Sequence, residues 1–157
     1  MDSFSTMIVV QGSDATRVDL VLSPDELIES FRSRGMRATP QRHAVFLALH
    51  ENRSHPTAEA VWNTVVADMP TVSLRTVYSV LGELVTAREI NQVDLGTGAH
   101  RFDPNTSAHH HVVCGVCGSV TDVDVDHSPI GPHSSPAGFR ITDTEIVFRG
   151  ICQTCDS

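Results

Sequence analysis

The sequence predicts an α+β protein: a winged helix-turn-helix over residues 23–103, followed by a small strand-rich domain over residues 104–157. Residues 23–103 carry capped helical patterns and then a hairpin pattern, which is the element order of a winged helix. After residue 103 the composition changes to short strand patterns, and every cysteine of the chain falls there. Residues 1–22 match neither pattern, and we expect them to form a flexible N-terminal arm.

Four helices are predicted from capping residues and from the helical spacing of apolar residues. The capping residues, each able to accept a hydrogen bond from the first turn, are Ser23, Thr39, Thr57 and Ser73. In the third helix the face that we expect to be buried comprises Ala60, Val61, Val65 and Val66. In the fourth it comprises Val77, Val80, Leu81 and Leu84. A strand at 89–95, a glycine turn at 96–98 and a return strand at 99–102 form the predicted wing.

The charge of the chain is acidic overall but unevenly distributed. The formal net charge is −8, yet the stretch from Phe31 to His50 holds four arginines and no acidic residue. From Phe102 onward there are seven acidic residues and two arginines. Positive charge therefore falls in the winged-helix half, and negative charge falls where cations would be held. Because the chain as a whole is acidic, we expect modest non-specific DNA affinity that depends strongly on salt.

No part of the sequence resembles a membrane span or a secretion signal. No run approaches the roughly 18–20 apolar residues that a bilayer requires. The N-terminus lacks a basic region and a small-residue cleavage site. We therefore expect a cytoplasmic protein with no membrane partner, in which paired cysteines are metal or redox sites rather than disulfides.

Two CxxC pairs use every cysteine in the chain and predict a structural zinc site. The four residues are Cys114, Cys117, Cys152 and Cys155. Four thiolates at this spacing can close a tetrahedral Zn²⁺ site with Zn–S distances of about 2.3 Å. The alternatives are two redox pairs or four unrelated buried cysteines. A zinc site would join the two ends of the second domain, whose stability would then depend on the metal.

The histidine run at 109–111 indicates a second candidate metal site. In a strand, His109 and His111 project to one face and His110 to the other. Together with the carboxylate of Asp103, the first two imidazoles offer nitrogen and oxygen ligands for a first-row divalent metal.

Two more residues are possible ligands of the same metal. Asp122, on the strand after the first CxxC turn, could point back to it. His55 lies between the second and third helices, and on pattern alone a structural role for it is equally favoured. If His55 joins the set, the metal bridges the two halves and fixes their relative orientation.

The exposed side of the fourth helix is the candidate DNA-reading surface. Arg75 and Tyr78 fall on that side and could reach bases or phosphates. The alternative is a solvated helix face. Winged helices are also common and can serve as protein-interaction modules.

Taken together, the motifs resemble the ferric uptake regulator family of bacterial metal-sensing repressors. The matching segments are RGMRATPQR (34–42), HPTAEAVW (55–62), VSLRTVYSVLGEL (72–84), RFD (101–103), HHHVVCGVCG (109–118) and CQTC (152–155). The resemblance covers about residues 24–157. It implies a homodimer with an N-terminal winged helix and a C-terminal α/β dimerisation domain, and a structural Zn²⁺ on the four cysteines.

The resemblance also implies a regulatory metal site between the two domains. Its ligands map onto His55, Asp103, His109, His111 and Asp122, with Fe²⁺ or Mn²⁺ as the metal. An Asp at position 122 looks like the peroxide-responsive branch, whereas Glu is usual in the iron-uptake branch. In the peroxide branch Fe²⁺ at this site reacts with hydrogen peroxide, a ligand histidine is oxidised, and metal and operator are released. By that analogy His55 and His109 are the residues oxidised.

The function implied is a metal-dependent transcriptional repressor that binds a palindromic double-stranded DNA operator. The major-groove candidates are Ser73, Arg75, Thr76 and Tyr78, and Arg37 is expected near the backbone or minor groove. An enzyme is not expected, because the chain lacks the His-x-Glu motif of zinc deaminases and its cysteines can close a site with no open position.

Two features depart from the pattern of the family. Residues 127–138 form a proline-rich segment where most relatives carry a helix, which resembles actinobacterial members linked to catalase control. The additional metal site of the family is unsupported, because Ala108 and His110 stand where ligands are expected. Two alternative functions stay open: an iron-responsive uptake repressor without peroxide chemistry, and a redox switch in which the CxxC pairs sense oxidants directly.

Overall fold

The computed structural model describes residues 22–50, 52–125, 137–140 and 144–157. The predicted arm, except Leu22, and most of the proline-rich segment at 127–138 lie outside the described residues. In the described part, four helices and a two-stranded sheet precede a three-stranded sheet, which confirms the predicted fold class. No helix of that part is long and apolar enough to cross a membrane.

The four helices are Pro24–Ser33 (α1), Pro40–Leu49 (α2), Ala58–Asp68 (α3) and Leu74–Thr86 (α4). Each one follows its predicted capping residue, whose side-chain oxygen accepts a hydrogen bond from the backbone N–H three residues later. In α1 the carboxylate of Glu26 also accepts the backbone N–H of Ser23, which completes a capping box. These bonds satisfy amide groups that a helix start leaves without intrahelical partners.

The helices pack their apolar faces into one core. Phe31 of α1 and Phe46 of α2 meet edge to face, with ring centroids 5.2 Å apart. Arg42 of α2 donates through Nε and Nη2 to the two carboxylate oxygens of Glu83 on α4, each at 3.0 Å. Arg42 therefore joins two helices, although it belongs to the arginine-rich stretch that the sequence assigned to the DNA-binding half.

The predicted buried face of α3 is partly wrong. Val61 and Val65 are buried, but Ala60 is exposed, Val66 is only half-buried, and Ala58 is the third buried residue. Because Thr57 is the cap, Ala58 is the first residue of the helix, and positions 58, 61 and 65 then share one face.

The wing consists of two antiparallel strands, Asn91–Val93 (β1) and Arg101–Asp103 (β2). Side chains alternate along a strand, so Phe102 enters the helical core while its two neighbours project from the opposite face. This alternation directs Arg101 and Asp103 away from the helices and toward the second sheet.

The second sheet contains His110–Cys114 (β3), Val120–Val123 (β4) and Val147–Gly150 (β5), in the order β4–β3–β5. β4 runs antiparallel to β3, with Asp122 opposite His111. β5 runs parallel to β3 and is paired with its other edge. The histidine-bearing strand is thus the central one.

The wing and the second sheet contact each other directly. Leu95, which follows β1, packs with Val113 and Val120 in a small apolar cluster. Arg149 of β5 also donates to the carbonyl oxygen of Leu95 at 3.2 Å. Groups carried by the wing and by β3 can therefore meet at this junction.

Candidate metal centres and DNA-binding face

Four of the predicted regulatory ligands meet between the wing and the second sheet. They are His55, Asp103, His109 and His111, and one ligand atom of each lies within 4.8 Å of the others. At most 6% of any of these side chains is exposed. Burying polar groups without partners is costly, so such a cluster needs either mutual hydrogen bonds or a cation.

Three separate segments bring these residues together. His55 lies in the loop between α2 and α3 at a φ of +49°, a left-handed conformation that is uncommon for a residue with a side chain. Asp103 ends β2. His109 and His111 lie directly before and within β3, and their Nε2 atoms are 3.0 Å apart, as expected for residues on one face.

The ring orientations of His109 and His111 direct two lone pairs at each other. Nδ1 of His109 is 2.8 Å from the carbonyl oxygen of Ser107, and Nδ1 of His111 is 3.0 Å from Oε1 of Glu145. Both of these oxygens only accept, so in the neutral rings each Nδ1 carries the hydrogen and each Nε2 a lone pair. Oδ2 of Asp103 adds negative charge 2.9 Å from Nε2 of His109. The two Nε2 lone pairs and the carboxylate oxygen repel one another unless a proton or a cation lies between them.

Buried side-chain atoms without a hydrogen-bond partner concentrate at the same place. Among the described residues they are His50 Nδ1, both ring nitrogens of His55, Asp103 Oδ2 and Asp122 Oδ1. Asp103 Oδ2 lies 2.9 Å from Nε2 of His109, and Asp122 Oδ1 lies 2.8 Å from Nε2 of His55, but neither pair forms a hydrogen bond. Three imidazoles with carboxylate oxygens are a suitable donor set for a first-row divalent metal such as Fe²⁺ or Mn²⁺. The residues present therefore fit a regulatory metal of that kind.

Asp122, the fifth predicted ligand, lies at the edge of the cluster. Its Oδ1 is 2.8 Å from Nε2 of His55 and 3.7 Å from Nε2 of His109, but it falls outside the group of four. The side-chain amide of Asn105 donates to its other oxygen at 3.3 Å. About a third of the Asp122 side chain is exposed, so it faces solvent more than the other four do.

Burial and neighbouring charges shift the pKa values of His55, Asp103 and His111 away from their ordinary values. Burial lowers the pKa of His55, and the nearby carboxylates of Asp103 and Asp122 offset this only in part, so the imidazole is neutral. Burial acts to raise the pKa of Asp103, but the neighbouring imidazoles and the Asn105 backbone N–H outweigh it and lower the pKa. Burial acts to lower the pKa of His111, but Asp103 and Glu145 outweigh it and raise the pKa. A metal at this site therefore competes with a proton for His111.

Glu145 contacts the cluster, and the sequence analysis did not single it out. A carboxylate on Nδ1 of a histidine fixes its tautomer and raises its basicity toward a metal at Nε2. Glu145 occupies that position on His111 because β5 pairs with β3, with Val147 opposite His111. The sequence alone did not predict this contact, because it did not reveal the parallel pairing of β5 with β3 that brings residue 145 beside the histidine strand.

The four cysteines form the second cluster, with their sulfur atoms within 4.8 Å of one another. Cys114 ends β3, and Cys152 and Cys155 follow the end of β5. Because these strands are parallel, with Cys114 opposite Gly150, the two CxxC turns lie at the same end of the sheet. The Sγ atoms of Cys117 and Cys152 are 3.7 Å apart, and none of the four cysteines forms a disulfide.

The surroundings of the cysteines favour a thiolate at Cys114 and a thiol at Cys155. Backbone N–H groups of Cys117, Cys152 and Val116 converge on Cys114 and lower its pKa to about 6. In Cys155 the neighbouring sulfur atoms hold the proton and raise its pKa to about 12. Four sulfur atoms at these distances cannot all ionise without a cation, and a tetrahedral Zn²⁺ is the ion that such a set binds. The cysteines present therefore fit zinc.

The first half of α4 carries the predicted DNA-contacting residues. Ser73, Arg75 and Tyr78 are exposed and Thr76 is half-buried. Ser73 caps the helix, and its hydroxyl lies 2.9 Å from that of Thr76, so both have structural partners within the helix start. Arg37 is exposed in the loop between α1 and α2.

Tyr78 has an acidic partner that sequence reasoning missed. Its hydroxyl donates to Glu59 of α3 at 2.7 Å, which lowers the pKa of Glu59 and raises the pKa of Tyr78. Both residues line a groove of about 630 Å³ between α4 and the loop of the wing, where Asp94 adds a second carboxylate. These acids would repel phosphate groups, so the candidate DNA-binding face is not uniformly favourable to DNA.

His110 lies outside both clusters, in agreement with the alternation of the strand. Its side chain is buried, and Nδ1 accepts the backbone N–H of Ile146 at 3.3 Å. This bond crosses from β3 to the residue before β5, so His110 has a structural contact in the sheet.

A winged helix that shares a buried histidine–aspartate cluster with a cysteine-bearing sheet defines a metal-responsive transcriptional regulator. Residues 33–149 match the ferric uptake regulator family. The chain belongs to that family.

Relatives with described functions are found at moderate identity. The peroxide-responsive repressor PerR of Staphylococcus aureus is 30% identical over 135 residues, which cover 83% of this chain and 90% of that protein. PerR from Streptococcus pyogenes, solved in a study of peroxide sensing, is 25% identical with a TM-score of 0.50 and covers 85% of this chain and 92% of that one. The ferric uptake regulator Fur of Helicobacter pylori, described with three functional metal-binding sites, has a TM-score of 0.68 at 15% identity over 88% of this chain and 97% of that one. At that identity the Fur similarity shows the fold alone.

Proposed function

We propose that the chain is a transcriptional repressor that senses peroxide through oxidation of histidine ligands at a regulatory Fe²⁺ or Mn²⁺ site. The observation that best supports this proposal is the buried cluster of His55, Asp103, His109 and His111. Several polar atoms of this cluster lack hydrogen-bond partners among the described residues. The metal-loaded form would be a homodimer bound to a palindromic DNA operator. The relationship to repressors named for their peroxide response supports the choice of signal.

The four cysteines would hold a structural Zn²⁺ in this proposal. Cys114 and Cys117 belong to the turn after β3, and Cys152 and Cys155 to the turn after β5. A metal shared by both turns would pin the final segment of the chain to the central strand.

The regulatory cluster would transmit metal binding to the DNA-binding half. His55 and Asp103 belong to the helical part and its wing, whereas His109 and His111 belong to the second sheet. Ligands from both parts are needed to complete one site, so metal binding would favour the one arrangement in which they meet. The free energy by which metal shifts this equilibrium equals the difference in metal-binding free energy between the two arrangements.

The site also offers a route for a small oxidant. A cavity of about 350 Å³ is lined by His109, His111 and Asp103, while His55 is wholly buried behind them. When bound, ferrous iron would supply the electron that cleaves peroxide. The imidazoles of His55 and His109 are the groups that we expect to gain oxygen, and an oxidised ring is a poorer ligand.

Metal dependence is tested with zinc-loaded protein and DNA duplexes selected from a random library by its Mn²⁺-loaded form. Binding should tighten by at least about tenfold on addition of Mn²⁺ or Fe²⁺, which corresponds to about 1.4 kcal/mol of coupling. A His109→Ala variant should lose that response. Equal affinity with and without metal would rule out a metal-dependent repressor.

Peroxide sensing is tested by peptide mass spectrometry of Fe²⁺-loaded protein after treatment with hydrogen peroxide. The proposal expects one added oxygen on the peptide that contains His55 or on the one that contains His109, and release of DNA in parallel. The Mn²⁺-loaded protein is the control and should stay unmodified.

The two alternative functions predict other outcomes of the same experiment. Metal-dependent DNA binding with unmodified histidines would support the iron-responsive uptake repressor. A peroxide response that survives His109→Ala would assign the sensing role to the cysteines.

A further inference from the structure

Arg101 contacts the backbone next to each of the two candidate metal clusters. It lies on β2 two residues before Asp103, so strand alternation directs both side chains toward the second sheet. Nη1 of Arg101 donates to the carbonyl oxygen of His55 at 3.0 Å, and Nη2 donates to that of Gly118 at 2.7 Å. One guanidinium thus spans from the His55 loop to the CxxC turn.

At one end, β2 fixes the peptide that carries His55. The left-handed φ of His55 is unfavourable by itself, so surrounding contacts have to maintain it. Arg101 binds the carbonyl of His55, and the backbone N–H of Phe102 donates to the carbonyl of Pro56 at 2.9 Å. Two successive peptide groups are thereby held, and with them the direction in which the imidazole enters the cluster.

At the other end, the cysteine turn fixes the carbonyl of Gly118. The backbone N–H of Gly118 donates to the carbonyl of Cys114 at 2.9 Å. Gly118 has a φ of +70°, and a Cβ there would lie 3.6 Å from Nη2 of Arg101. The direction of this carbonyl thus depends on the turn that carries Cys114 and Cys117.

The guanidinium is held rigidly between the two ends. Its Nε donates to the hydroxyl of Thr97 in the wing loop at 3.2 Å, and the side chain is half-buried. The donors of an arginine are fixed in one plane, so the group cannot follow one carbonyl without losing another.

We propose that Arg101 is a positioning residue that couples the two metal sites, because its guanidinium links the metal-held cysteine turn to the peptide that carries His55. The identity of the two metals rests on the proposed function, whereas the hydrogen bonds do not. Coupling of binding free energies is reciprocal, so an ion at the histidine–aspartate cluster tightens zinc binding, and loss of zinc weakens the binding of that ion.

The first test is the Mn²⁺ affinity of zinc-loaded Arg101→Lys. Lysine keeps the charge but presents one ammonium group, which cannot replace the planar fork between two carbonyls. Affinity should fall about tenfold or more, the usual effect of losing a residue that orients a ligand, while zinc content stays unchanged. Arg149→Ala is the matched control, since Arg149 also joins the second sheet to the wing but through Leu95.

The second readout separates coupling from general stability. Zinc affinity is measured by competition with a chelator, with and without Mn²⁺. In the wild type and in Arg149→Ala, Mn²⁺ should tighten zinc binding, whereas in Arg101→Lys this effect should be smaller. A merely structural role would weaken zinc binding equally with and without Mn²⁺.

Hydrogen exchange of residues 54–57 tests the link without the regulatory metal. In zinc-loaded protein free of Mn²⁺, exchange there should rise in Arg101→Lys and stay at the wild-type level in Arg149→Ala. Wild-type Mn²⁺ affinity or unchanged exchange in Arg101→Lys overturns the coupling. If the wild type binds no Mn²⁺ but exchange rises as expected, the link through Arg101 stands and the proposed function fails.

Discussion

His111 is held from both ends of its ring. Nδ1 is 3.0 Å from Glu145, and Nε2 faces the buried group of His55, Asp103 and His109. Glu145 is 43% exposed, so its charge is partly screened, and its main contribution is to fix which ring nitrogen carries the hydrogen. The affinity of the cluster for a metal therefore depends on a residue that need not touch the ion.

Replacing Glu145 with Ala should weaken Mn²⁺ binding by about tenfold, the lower end of the range for residues that orient a metal ligand. Glu145→Gln should weaken it less, because the amide oxygen still accepts from Nδ1 of His111. A Mn²⁺ titration of zinc-loaded protein measures both variants. Wild-type affinity in Glu145→Ala would show that the contact has no role in metal binding.

Arg75 is the exposed cation in the first half of α4. Arg75→Ala should weaken operator binding across sequences and reduce the slope of log affinity against log salt by about one if it contacts a phosphate. Arg32→Ala is a suitable control, since Arg32 is exposed on α1 and lies 3.5 Å from Glu29. Equal salt slopes in the two variants would remove Arg75 from the interface.

At the scale of elements, α4 depends on Ser73 for its first turn. Ser73→Ala should lower the free energy of unfolding by about 1 kcal/mol, because the backbone N–H of Thr76 loses its side-chain acceptor and keeps only the carbonyl of residue 73. Ser73→Asp should retain the cap but place a negative charge where phosphate is expected, so stability persists while DNA affinity falls. Urea unfolding and DNA titration measure the two effects separately. Undiminished DNA binding by Ser73→Asp would place Ser73 away from the DNA.

The helix starts and the strand faces could be predicted from residues close together in the sequence. The four caps depend on one side-chain oxygen each, and all four helices follow their predicted caps. Alternation in β3 correctly separated His110 from His109 and His111. The face of α3 was misassigned because Ala and Val at successive positions fit two neighbouring helical faces equally well, and packing selects between them.

Contacts between distant segments could not be derived from local patterns. The left-handed backbone at His55 and the contacts of Arg101 and Glu145 depend on how the wing and the second sheet meet. The sequence on either side of these residues does not indicate how the wing contacts the second sheet. For His55, the local pattern favoured a ligand role and a structural role equally, and only the family resemblance predicted that it would lie with the other ligands.

At the scale of the whole molecule, the two parts differ in what stabilises them. The helices share a large apolar core, whereas Val113 and Val120 of the second sheet share only a small buried cluster with Leu95 of the wing. A small core of that size needs additional links, and the cysteine cluster lies at the end of the same sheet.

Removing zinc with a chelator should therefore unfold the second sheet before the helices. Trp62, the one tryptophan of the chain, reports on the helical part because its Nε1 donates to the carbonyl of Val72 at 2.9 Å. Chelation should lower the melting temperature of the strand signal in circular dichroism while Trp62 emission stays native-like. Simultaneous loss of both signals would contradict independent stability of the helical part.

The proposed regulatory site would join these two parts, and the residues that bind its metal decide whether it does. The direct test is a crystal structure of the zinc-loaded protein with Mn²⁺, using the anomalous scattering of manganese. We expect one manganese peak per chain, bound by His55, Asp103, His109 and His111, with Asp122 as the fifth ligand. A peak elsewhere, or a bound ion that lacks His55 or Asp103, would contradict a site shared between the DNA-binding half and the second sheet.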